Sequence, residues 1–209
     1  MSDQFEYTRR ELLSRVGAGI TAAAAGGTFL LAQDAQHVHS AVAQEKAAQK
    51  GKYQPKALNA HEYATLERLS DLIIPADEHS PGALAANAVD FIDFLCAASE
   101  EMRNIYTGGL AWLDHEMRRR YDGRDFVSVA AGQQTAMLDL IAFRKSGERE
   151  PGLGQGIRFF AWARNMVVDA YYTSPIGIKD VGFMGNTAVA HFSVPQEAVD
   201  YALKRSPFA

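Results

Sequence analysis

The chain has 209 residues, 47% of them hydrophobic and 22% charged, a balance that suits one globular domain plus extensions and argues against wholesale disorder. Its formal net charge of -4 offers no basic excess to a nucleic acid. The one cysteine, Cys96, excludes an internal disulfide, a thiolate zinc site and an iron–sulfur cluster, and without a Cys-x-x-Cys-His there is no ordinary attachment for c-type haem.

Residues 1–43 read as a twin-arginine signal peptide. Arg9 and Arg10 stand just before Leu12 and Leu13, and from Val16 to Gln33 no side chain is ionisable. The leader ends in His-Ser-Ala-Val-Ala, with small residues at Ala41 and Ala43. A charged start, an apolar middle and an Ala-x-Ala end are the parts of an export signal, and paired arginines mark the version read by the twin-arginine translocase. A permanent membrane anchor fits less well, because the middle is mostly Ala, Gly and Thr with few large apolar residues; a leader that stays uncleaved is the other alternative. His37-x-His39 falls in this leader and is set aside as a metal site.

Residues 44–57 are polar and read as a linker; residues 58–209 read as the folded domain. Asn59 and Glu62 form a capping-box-like start, Tyr63, Leu66, Leu69 and Ile73 follow at helical spacing, and Pro75 ends the segment. Ser80-Pro81-Gly82 turns into a second helix with Val89, Ile92, Leu95 and Cys96 on one side. A third covers about Met102 to Tyr121 with a stripe of Leu110, Leu113, Met117 and Tyr121, and a fourth runs from Gln133 to Phe143. After a loop from Gly147 to Gly156, a fifth spans Ile157 to Tyr172, with Phe160, Ala163, Val167 and Tyr171 in register. Beyond Ser174-Pro175 the chain is rich in glycine and aromatics, and a last short helix opens at Val194-Pro195-Gln196. No alternating run appears, so the expected class is all-α, a small irregular bundle of about five to six helices with an irregular C-terminal segment.

The chemistry of sites is mostly missing from the sequence. Gly152-Leu-Gly154-Gln-Gly156 has the wrong spacing for a dinucleotide loop and no strand before it. There is no nucleophile elbow, no phosphate-binding lysine motif and no pair of Glu-x-x-His motifs for a di-iron bundle. Asp77-Glu78-His79 reads as a charged turn, and Arg118-Arg119-Arg120 as a solvated helix face. Asp90 and Asp93 share one helix face, which is expected to be solvated or to meet a partner. Cys96, in the apolar run from Phe91, is expected to be a buried thiol, the alternative being an intersubunit disulfide in an oxidising compartment. No catalytic, cofactor-binding or metal-binding residue is assigned.

Three segments resemble the gluconate 2-dehydrogenase subunit 3 family. The first is Leu66 to Asp77 with Ser80-Pro81-Gly82-Ala83 and Val89 to Asp93; the second is the Phe159-Phe160 helix ending in Tyr171-Tyr172-Thr173-Ser174-Pro175-Ile-Gly177; the third is Val181-Gly182-Phe183-Met-Gly185-Asn186. The resemblance implies a small, non-catalytic subunit that binds no cofactor itself. Its partner would be a large flavoprotein of the glucose–methanol–choline oxidoreductase type, which oxidises a sugar, polyol or sugar acid with bound FAD, with haem c expected in a c-type cytochrome third subunit. It further implies that this chain helps the flavoprotein mature and reach the periplasm. Partner contacts are expected from Tyr171, Tyr172, Ser174, Pro175, Gly182, Phe183, Gly185 and Asn186, since aromatics and glycines in an irregular segment give contact area and close backbone approach; the equal alternative is that Tyr171 and Phe183 fill this subunit's own core. The competing readings are a self-sufficient exported enzyme with an unrecognised site, and an exported binding or structural protein without a dehydrogenase partner.

Overall fold

A computed structural model describes residues 32–183 and 193–206. Over these residues the chain forms ten α-helices, one 3-10 turn and no strand. They are α1 (Ala32–Ala48), α2 (Ala60–Ile73), α3 (Gly82–Ala85), α4 (Ala88–Ala98), α5 (Glu100–Arg120), α6 (Ala131–Ala142), α7 (Arg144–Arg149), α8 (Gly154–Tyr172), α9 (Pro175–Asp180) and α10 (Gln196–Arg205), with the 3-10 turn at Pro151–Leu153 before α8. The all-α class stands, with more helices than the five to six expected. The additional ones are α1, α7 and α9, and a break that separates α3 from α4 where Asn87 takes a left-handed φ of 58°.

The capping box of α2 is present: the Asn59 side chain accepts from the His61 and Glu62 amides, and Glu62 reaches back to the Asn59 N–H. Serine 99 caps α5, whose first turn carries Glu100 and Glu101 and whose last carries Arg118, Arg119 and Arg120, in the sense that complements the helix dipole. Gly82 turns the chain between α2 and α3 at φ 76°, where a Cβ would lie 2.6 Å from the Ala76 nitrogen. No other residue fits that turn.

At the centre α5 and α8 pack through two reciprocal gaps. Gly109 on α5 receives the Phe159 ring from α8, and Gly156 on α8 receives the Trp112 ring from α5; a Cβ at either glycine would come within about 2 Å of ring carbons. The Tyr106 and Phe159 rings meet edge to face with centroids 6.0 Å apart. Leu66 and Leu69 from α2, Phe91 and Ile92 from α4, and Phe126 from the α5–α6 loop close the core around this pair.

Helix α1 departs most from expectation. It crosses the boundary drawn at Ala43, and the stretch from 44 to 57 is not a free linker. Ala35, Val38 and Val42 lie on one face of α1 and are buried in the common core. Lys46, in its last turn, donates to Asn87 at 2.6 Å and Asp90 at 2.9 Å. The chain beyond it is held by Asp93, whose carboxylate accepts from the backbone amides of Lys56, Ala57 and Leu58 at 2.7 to 3.1 Å and from the Tyr53 hydroxyl. None of the described helices is long and apolar enough to cross a membrane.

Candidate partner-binding surface

Asp90 and Asp93, expected on a solvated or partner-facing surface, are instead buried and held within the chain. Asp90 binds Lys46 and the Tyr63 hydroxyl, so the pair fastens α1, α2 and the 53–58 loop to one turn of α4. Burial and the neighbouring carboxylates raise the Tyr53 and Tyr63 hydroxyls above the ordinary phenol range. Asp114 accepts from the Phe126 amide at 3.0 Å and pairs with His61. Glu116 lies under Arg119 and Arg120, whose hydrogen bonds hold its carboxyl below the usual carboxylate range. The arginine run is therefore not simply a solvated face: two of its members clamp a buried carboxylate and also reach Glu150. Each buried carboxylate among the described residues has donors from its own chain.

Asp77 spends its side chain on the backbone amides of His79 and Ser80, leaving Glu78 and His79 exposed in the turn. Among the described residues no three His, Cys, Asp or Glu side chains are placed to hold a metal ion. Cys96 has no accessible surface, and burial pushes its thiol up to about 12. A bond from its sulfur to another chain would require α4 to leave the core.

The expected contact segment divides into supports and exposed groups. Tyr171 is fully buried, with its hydroxyl against Ser80 Oγ and 3.1 Å from an Asp180 oxygen. Ser174 is buried and caps α9: its Oγ accepts from the Gly177 amide at 3.0 Å and donates to the Tyr171 carbonyl at 2.6 Å. Gly177 sits so close to that carbonyl that a Cβ would lie 2.1 Å from its oxygen. These residues hold the corner between α8 and α9 rather than offer themselves to a partner.

Tyr172, Pro175, Gly182 and Phe183 are exposed. The Tyr172 ring rests edge-on against Tyr171, centroids 4.9 Å apart, which orients it outward from a fixed base. Gly182 takes φ 63° and ends α9, and the Phe183 amide returns to the Ile178 carbonyl at 3.1 Å. Gly185 and Asn186 lie outside the described residues, as do Arg9, Arg10, Leu12 and Leu13.

Nine large apolar side chains are exposed among the described residues, and six of them fall between Tyr172 and Leu203: Tyr172, Val181, Phe183, Val194, Tyr201 and Leu203. Of these only Tyr172 and Phe183 are among the contact residues expected from the sequence. Helix α10 buries no residue; Ala198, Val199, Tyr201, Ala202 and Leu203 spread over a broad arc that also takes in Arg205, which lies 3.9 Å over the Tyr201 ring, with Glu197, Asp200 and Lys204 opposite. Tyr201 and Leu203 are 61% and 56% exposed on this helix.

The sequence pattern of the family described as Gluconate 2-dehydrogenase subunit 3 matches residues 60–191. The chain belongs to that family. Comparison with curated proteins and with solved structures returns no match. As a gluconate 2-dehydrogenase subunit 3 protein, the chain associates with other subunits of a dehydrogenase complex. The match begins with α2 and ends after α9, so it takes in the whole central packing of α5 and α8 and the corner carrying Tyr172 and Phe183, and leaves α1 and α10 outside.

Proposed function

We propose that this chain is the non-catalytic small subunit of a flavin-dependent dehydrogenase, assisting maturation and twin-arginine export of the flavoprotein that oxidises a sugar, polyol or sugar acid. The reading rests chiefly on the concentration of exposed apolar side chains in the segment after α8, on a chain whose family is that of a dehydrogenase subunit. The engagement of each buried carboxylate among the described residues by its own chain's donors supports a scaffold rather than a reaction centre. The Arg9-Arg10 pair supports the export part of this reading, with the periplasm as the destination it implies. FAD would belong to a glucose–methanol–choline type partner, and haem c to a cytochrome subunit.

Aromatic anchors usually dominate such interfaces, with a few residues carrying most of the affinity. The test is capture of the tagged chain from its native host, with the absorbance spectrum and subunit composition of the eluate recorded. A large chain carrying a flavin spectrum is the expected companion. Tyr172→Ala and Phe183→Ala should reduce its recovery more than they lower the small subunit's own melting temperature. A chain recovered alone and colourless, or variants that lose melting temperature without losing the companion, would overturn the proposal.

A further inference from the structure

The Ala41-Val42-Ala43 stretch that reads as a processing site is part of the folded core. Val42, its central residue, is 1% exposed, and Ala35 and Val38 beside it on α1 are equally enclosed. Around the bond after Ala43 the helix is held on both sides. His39 bonds Thr173 at the end of α8 and stacks at 4.7 Å on Phe91 of α4, while Lys46 is bound by Asn87 and Asp90. Glu45 is also ion-paired with Lys56. A peptidase cuts a chain that it can draw into extended form, and here that requires stripping Val42 from the core and breaking the contacts of His39 and Lys46.

Order of events makes this decisive. The twin-arginine route carries cargo that has already folded, so α1 reaches the far side of the membrane docked on α4. We propose that the exported protein keeps residues 34–48 as its first core helix, and that any removal of the leader takes place upstream of Asp34. This rests on the twin-arginine reading given above. Cleavage after Ala43 would leave the buried side of α4 without Ala35, Val38 and Val42, while Lys46, downstream of the cut, would stay with Asp90.

The full chain, expressed in a host with an active twin-arginine system, is fractionated, and the periplasmic species is weighed by intact mass. An amino terminus upstream of Asp34, or the uncut chain, is the expected result; Gln44 as the main first residue would overturn the proposal. Should the chain stay in the cytoplasm, the export reading fails separately, and melting of two full-length variants then decides whether α1 is core. Val42→Asp should lower the melting temperature by about 10 °C or prevent folding, whereas Ala43→Asp, on the exposed side of the same helix, should move it by less than about 2 °C. Equal melting of the two variants would mean that α1 is dispensable, and the proposal would fall.

Discussion

His39 Nε2 lies 2.9 Å from Oγ1 of Thr173, joining the first described helix to the end of α8 across 134 positions of sequence. Thr173 Oγ1 also donates to the Asp169 carbonyl at 2.6 Å, so one hydroxyl ties His39 to the last turn of α8. Burial lowers the ring's affinity for a second proton, an effect larger than the opposing hydrogen bond with the Ala170 backbone.

A histidine with depressed affinity makes unfolding take up a proton, so its contribution is fully present above the unfolded value of about 6.5 and is lost as pH falls below it. The melting temperature should therefore decline as pH falls below about 6.5, and His39→Gln should flatten part of that decline. Calorimetry at matched ionic strength checks the slope; a variant with an unchanged slope would show that other groups carry it.

Asp93 is the second point at which α4 controls a distant segment. Its carboxylate satisfies three successive backbone amides and a tyrosine hydroxyl in a site with no exposure. Asp93→Ala orphans those donors, and at about 1 to 3 kcal/mol for a buried unsatisfied donor the loss should exceed about 3 kcal/mol in urea unfolding. Asp93→Asn should also destabilise, because its amide NH2 would face donors. Hydrogen exchange localises the effect: the amides of Lys56, Ala57 and Leu58 should lose protection first.

Cys96 should behave as a core side chain. With its thiol raised to about 12, by burial first and the charge of Asp93 second, almost no thiolate exists at neutral pH. A disulfide-exchange reagent at pH 8 should react with the native chain at least on the order of a hundredfold more slowly than with the urea-unfolded chain. No band containing this chain should collapse on reduction of the native complex. Fast labelling of the native chain would instead point to an open α4.

The parts of the fold that announce themselves do so through local chemistry. The Asn59–Glu62 capping box, the stripe of Leu110, Leu113 and Met117, and the register of Phe160, Ala163, Val167 and Tyr171 each describe their own helix, and each is found as read. Helix α1 was hidden because its core side is made of small residues, Ala35, Val38 and Val42, which equally compose the tail of an export signal. Asp90 and Asp93 were misread for a different reason. A carboxylate on a helix is solvated or buried according to donors that arrive from elsewhere, here Lys46, Tyr53, Tyr63 and three loop amides, and spacing within α4 holds no trace of them. In the candidate surface, the phase of α8 separates Tyr171 from Tyr172, but α9 needed the Ser174 cap and the Gly177 contact to become visible.

The central packing of α5 and α8 gives the most selective prediction, because two adjacent glycines should respond in opposite directions. Gly109 faces Phe159, and a Cβ there would stand 1.9 Å from Cδ2 of the ring, inside any tolerable contact. Phe159 is itself only 5% exposed and has little room to retreat, so Gly109→Ala should push the helices apart and cost about 3 kcal/mol or more, in the range of severe overpacking. Gly108, one position earlier in the same helix, has nothing within 4 Å of where its Cβ would be. There alanine removes backbone freedom from the unfolded chain without meeting a neighbour, and Gly108→Ala should stabilise by up to about 1 kcal/mol. Equilibrium unfolding of the two variants in one denaturant series decides it. If both alanines stabilise, α5 and α8 are further apart than described; if both destabilise, the side of α5 carrying Gly108 is covered by something the isolated chain does not show.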